Sequence, residues 1–88
     1  MLKIYKYDLG TIDRQMLSIN GFVEFLSVET QHEVIVVYAL IDDSTNTGKV
    51  FDFRVVGTGH DADCINDKEF LGTVQMLGGK LIWHVFYK

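Results

Sequence analysis

Apolar and polar residues alternate with a period of two along much of this chain, the signature of strands with one face on a core. Leu2–Asp8 alternates Leu2 and Ile4 with Lys3, then Tyr5 and Tyr7 with Lys6, before Gly10-Thr11 breaks the pattern. Asp13–Ile19 predicts a short strand packing through Met16 and ending at the turn signal Asn20-Gly21. In Phe22–Thr30 the residues Phe22, Val23, Phe25 and Leu26 fit a strand or a brief helical turn equally. Gln31-His32 reads as a tight turn. Val34–Ile41 is apolar on both faces, which predicts a central strand covered on both sides.

Asp42–Gly48 is a polar loop, and Lys49–Val56 returns as a strand with Phe51, Phe53 and Val55 on one face and Asp52 and Arg54 on the other. Asp61–Glu69 is an acidic loop, Phe70–Met76 a strand interrupted by Gly72, and Gly78-Gly79 a hairpin turn. Leu81–Tyr87 closes the chain as a second run apolar on both faces. Six or seven strands with short turns predict one all-β, or at least β-rich, domain over residues 1–88. The expected architecture is a small antiparallel sandwich or barrel.

Composition narrows the classes. Hydrophobic residues make up 48% of the chain, enough for a core and too many for a disordered segment. Eight Lys and Arg against 12 Asp and Glu give a net charge of −4, which argues against sequence-independent binding to nucleic acid but leaves room for a small anionic ligand. The single cysteine, Cys64, has no internal partner, so a reducing, cytoplasmic setting is expected. No apolar run is long enough for a membrane helix, and the first residues lack a signal-peptide pattern. There is no proline to blunt a sheet edge, so a homo-oligomer formed by edge or face pairing is expected.

One stretch exceeds what packing asks for. Gly57-Thr58-Gly59-His60 follows a strand directly, and two glycines one residue apart let successive N–H groups share a hollow suited to an anion or carbonyl. Thr58 adds a hydroxyl and His60 a tunable cation or base. The alternative is a glycine-rich bulge and turn; the third glycine and helix of a dinucleotide fingerprint are missing. Gly72-Thr73 echoes the motif, with Gln75 on the face of Thr73, so Thr58 and Thr73 are placed to converge if their strands are neighbours. Arg54 either grips a phosphate or carboxylate or pairs with an acidic neighbour. Trp83 shares a face with Leu81 and Val85, and His84 shares the other with Ile82 and Phe86. Trp83 reads as core, or as a base-stacking ring. His84 reads as a hydrogen-bonded histidine among apolar residues, or as an acid–base partner of His60. His60 and Cys64 with Asp61 and Asp63 fall short of a structural zinc set, so no metal and no cofactor is expected.

The strings FRVVGTGH, FLGTVQ and GGKLIWHVF resemble a small uncharacterised family of tailed-bacteriophage proteins, whose members begin with a strand like LKIYKYDL and end in Trp-His-Val-Phe. The resemblance spans the chain and implies a phage or prophage origin and action in the cytoplasm of an infected bacterium. By analogy, small phage accessory proteins bind host components, and some are oligomeric sponges for nucleotide immune signals. The leading expectation is therefore a non-enzymatic, anti-defence binding protein for a nucleotide-type ligand. Its site would comprise Arg54, Gly57, Thr58, Gly59, His60, Thr73, Gln75, Trp83 and His84. The alternatives are a protein-interaction module docking on a host or phage protein, and a phosphoester hydrolase using His60 and His84.

Overall fold

A computed structural model describes residues 1–88 as seven strands: β1 (Leu2–Leu9), β2 (Arg14–Asn20), β3 (Phe22–Gln31), β4 (Val34–Asp42), β5 (Gly48–Gly57), β6 (Glu69–Met76) and β7 (Leu81–Tyr87). They form two antiparallel sheets, β1-β4-β3 and β2-β5-β7-β6. The architecture is a sandwich, and the barrel alternative falls away. No helix is long and apolar enough to cross a membrane.

The core lies between the sheets and is filled by one parity of each strand. Ile35, Val37, Ala39 and Ile41 of β4 face Phe51, Phe53 and Val55 of β5 with Val85 of β7, all buried. Two bulges in β3, between Phe22 and Glu24 and between Phe25 and Ser27, resolve the ambiguity of that segment. Each inserts one residue, so Phe22, Phe25 and Val28 all turn inward at a spacing of three. The helical-turn reading is thereby excluded: this is a strand with a locally stretched period.

Three other expectations need correction. In β2 the packing residues are Leu17 and Ile19; Met16 lies opposite Asp52 on the outer face and is exposed. The tight turn before β4 falls on His32 and Glu33, both at positive φ as a two-residue primed hairpin turn requires. The outer face of β4 carries no second layer. Val36 is nevertheless only 1% exposed, because Lys6 Nζ on β1 donates to Gln31 Oε1 on β3 at 2.6 Å. The registers of those two residues straddle Val36, so the bond spans it.

One long side of the sandwich is closed where β3 meets β6. Thr30 Oγ1 donates to the Gln75 carbonyl at 3.1 Å, and Gly72 sits directly beneath Val28. A Cβ on Gly72 would lie 2.6 Å from Val28 Cγ1, so the glycine is there for this approach between sheets. Leu71, the extra residue of a bulge in β6, packs against the core beside it.

The close contact predicts a non-additive pair. Gly72→Ala overpacks the seam and should destabilise by about 1–3 kcal/mol. In a Val28→Ala background, which removes the opposing methyl, the same change should cost far less. Urea unfolding of the four proteins measures the cycle; strict additivity would show that the seam tolerates a methyl.

Candidate functional site

The site arises from the topology. In the order β5-β7-β6 the chain skips a strand, and β5 and β6 run parallel. The link between them must therefore reverse at the end of β5 and travel back the length of the sheet. The reversal is Gly57-Thr58-Gly59-His60: His60 N donates to the Gly57 carbonyl at 3.0 Å, with Gly59 at φ +85° in the third position. This matches a type II turn, which calls for glycine there. The return path lies along the outer side of the sheet. Asp63 and Cys64 line a cleft with Arg54 and Val56, and Lys68 Nζ comes within 3.8 Å of Asp52, a residue of outward parity.

Thr58 and Thr73 do converge, and they converge on His84. Thr58 Oγ1 lies 2.7 Å from His84 Nε2, and Thr73 Oγ1 lies 2.9 Å from His84 Nδ1. The register places Thr73 opposite His84, and Thr58 N donates to the Ile82 carbonyl, bringing its side chain alongside. Both ring nitrogens are satisfied, as the hydrogen-bonded reading of His84 requires. His60 sits elsewhere. Its ring lies against Gly57, where an added Cβ would come within 2.7 Å of Nδ1, and edge-on to Trp83 at 6.2 Å between centroids. The His60 ring lies toward Gly57 and Trp83, while both nitrogens of His84 are taken by Thr58 and Thr73, so no hydrogen bond joins the two histidines.

The N–H hollow imagined for the glycine turn is largely used up, since Thr58 N and His60 N both donate to backbone carbonyls. Unspent donors lie beside it. Arg54 Nε and Trp83 Nε1 are buried and have no hydrogen-bond partner. Arg54 lines a cleft of about 420 Å³ together with Asp13, His60, Asp61, Asp63 and Cys64. It takes part in no ion pair, since Arg14 and Lys68 hold Asp52. Trp83 lines a second cleft of about 290 Å³ with Gly57, Thr58, His60, Lys80 and Ile82. His60 belongs to both clefts and divides them. Gln75, exposed on β6, lines neither.

In the sequence Asp61 and Asp63 of the larger cleft read as members of an acidic loop, short of a metal set, and Asp13 only as the first residue of a strand. Asp13 comes from the far side of the chain, brought in because its carbonyl accepts from Val55 N at 3.2 Å beyond the end of β2. Asp61 caps the return path by accepting from Asp63 N at 2.8 Å. No three of the His, Cys, Asp and Glu side chains gather closely enough to hold a metal.

The whole chain, residues 1–88, matches one family, described as "Domain of unknown function (DUF7352)". The chain belongs to the DUF7352 family. No curated protein and no solved structure matches it. In this DUF7352 domain the far end of the return path is pinned by charge. Lys68, its side chain 6% exposed, lies 3.2 Å from Asp67, whose other oxygen lies 2.7 Å from Lys88 Nζ. Arg14, 3.1 Å away, holds the Asp52 carboxyl below its usual range. The bonds from Lys88 and then Lys68 draw Asp67 down to about 2.

A depressed carboxylate stabilises the fold above its ordinary value of 3.8 and loses that contribution as pH falls through the folded value. The pinning should therefore be complete at neutral pH and released between about pH 4 and 2. Carboxyl-detected NMR titration should give Asp67 a midpoint of about 2, moved back toward 3.8 by Lys88→Ala. An ordinary midpoint in the unaltered protein would show that the three groups do not engage in solution.

Proposed function

We propose that this DUF7352 domain is a non-enzymatic binding protein that takes a small nucleotide-type molecule across the two clefts beside His60. The observation that carries the reading is the pair of buried, unpartnered N–H donors, Arg54 Nε and Trp83 Nε1. Leaving such a donor unmade costs about 1–3 kcal/mol, and a ligand acceptor at each would remove that cost. Arg54 would take an oxyanion or carbonyl, and the Trp83 N–H a ring acceptor. Thr58 lines the smaller cleft and is held in place by His84.

Charge limits the ligand. Asp13, Asp61 and Asp63 share the larger cleft with the one guanidinium, so a bare polyphosphate is repelled there. A molecule combining hydroxyl or amino donors with a single anionic group suits both signs, and mononucleotides have that composition. The resemblance to tailed-phage proteins gives this binding a use: sequestering a host nucleotide signal in the infected cell as an anti-defence measure. A second reading, docking on a host or phage protein, is favoured by Met16 and the Phe70–Phe86 pair, exposed or half-exposed on the outer face of β2-β5-β7-β6.

Conservative substitutions separate the two readings. Arg54→Lys keeps the charge and removes Nε–H; Trp83→Phe keeps a ring and removes the indole N–H. Each should lower the affinity for a retained nucleotide-type molecule by at least about tenfold. Native mass spectrometry of protein from phage-infected cells, followed by titration calorimetry with the identified compound, measures this loss. Retention unchanged in the two variants, or no retained molecule while Phe70→Ser abolishes capture of a host protein, overturns the ligand reading.

A further inference from the structure

The side of the sandwich opposite the β3–β6 seam is open. There β1 pairs only with β4, and its other edge has no strand beside it. Its register runs from Leu2 to Leu9 without a bulge. The other edges are treated differently. Both β3 and β6 are bulged and face one another across Gly72 and Val28. The edge strand β2 carries Arg14, Ser18 and Asn20, and Gln15 spends its amide on the backbone of Gly10, at 2.7 and 2.8 Å.

Lysine is a usual guard of a free edge, and β1 has two. Neither stands guard. Lys3 Nζ is drawn to Asp43 at 2.9 Å, and Lys6 Nζ crosses β4 to Gln31. Apart from Asp8 near its far end, what remains exposed along the edge is largely apolar: Leu2, Ile4 and Tyr5 are 59%, 61% and 44% exposed. A row of unpaired backbone groups can be satisfied by water or by another strand, and apolar flanks favour a strand.

Independently of the clefts, we propose that β1 pairs antiparallel with the β1 of a second copy of this chain, joining two three-stranded sheets into one of six strands. Directly opposed residues in an antiparallel pair lie on the same face, so a two-fold pairing must centre on a residue. Centred on Tyr5, the overlap spans Leu2–Asp8. It opposes Tyr5 to Tyr5, Ile4 to Lys6, Lys3 to Tyr7 and Leu2 to Asp8, with no like charges facing. Centring on Lys6 sets lysine on lysine, and centring on Ile4 shortens the ladder. The pairing uses one β1 edge from each copy and therefore stops at two. It also brings together two mouths of about 400 Å³, each lined by Tyr5 and Tyr7 of β1 with Ser18 and Asn20 of β2.

Sedimentation velocity from about 1 to 300 µM tests this, since an interface of one strand pair is a weak one. The unaltered chain should pass from monomer to dimer over that range. Ile4→Lys/Tyr5→Lys, which sets like charges opposite one another, should remain monomeric, whereas Leu26→Lys, an exposed change on β3, should dimerise as before. Amide exchange of the unaltered chain should show protection of residues 2–8 rising with concentration, a readout that needs no variant. A chain monomeric throughout, a dimer that survives the double substitution, a dimer lost in Leu26→Lys, or an assembly beyond two overturns the proposal.

Discussion

The inward turn of Phe25 is the constraint on which the sandwich depends. Its ring lies 4.7 Å from Phe22, 4.9 Å from Phe51, 5.5 Å from Phe53 and 4.7 Å from Tyr87, mostly edge to face. It therefore ties β3 of one sheet to β5 and β7 of the other, each contact adding about 0.5–1.5 kcal/mol beyond simple burial. Lys49 stands over Phe22 and Phe51 at 5.6 and 5.2 Å and closes the end of the cluster. This arrangement needs both bulges of β3. Without them, residues three apart would fall on opposite faces, and Phe22 or Phe25 would be set in water.

The same offset explains how far the sequence could be read. The bounds of β1, β4, β5 and β7 were legible nearly to the residue: β5 by alternation, β4 and β7 as continuous apolar runs, and β1 by alternation even though its Leu2 and Ile4 face outward. The assignment of β3 stayed ambiguous because a bulged strand imitates a helical spacing. Met16 misled because its size suggests core while its parity, set by Ile19 against the inner face, places it outside. The apolar outer face of β4 suggested a second covering layer. Val36 is covered instead by a lysine stem meeting a glutamine across the strand, a pairing that depends on strand order and so is invisible in one dimension.

The site was half legible for a related reason. Thr58, Thr73 and His84 carry a local signal, since each follows a glycine or sits between apolar neighbours, and the structure brings all three together. Asp13 carries none, because its place beside Arg54 follows from β2 ending while β5 continues. The sequence also suggested anion-binding N–H groups at Gly57–His60. Accounting for those hydrogens moves the weight elsewhere: the turn uses them to reverse the chain, and the free donors belong to Arg54 and Trp83.

Fold and site are thus consequences of one topological fact. A chain that passes from β5 to β6 without pairing them must turn sharply and return across the sheet, and the glycines, the pinned Lys68 and the clefts beside His60 all lie on that return. A simple meander would have no need of a sharp Gly-Thr-Gly-His reversal and would leave Arg54 in water, where its Nε would be satisfied. The return path dries the space over Arg54 on β5, while Trp83 on β7 packs against the core from the inner face, and each is left with a buried N–H that no group of the chain satisfies.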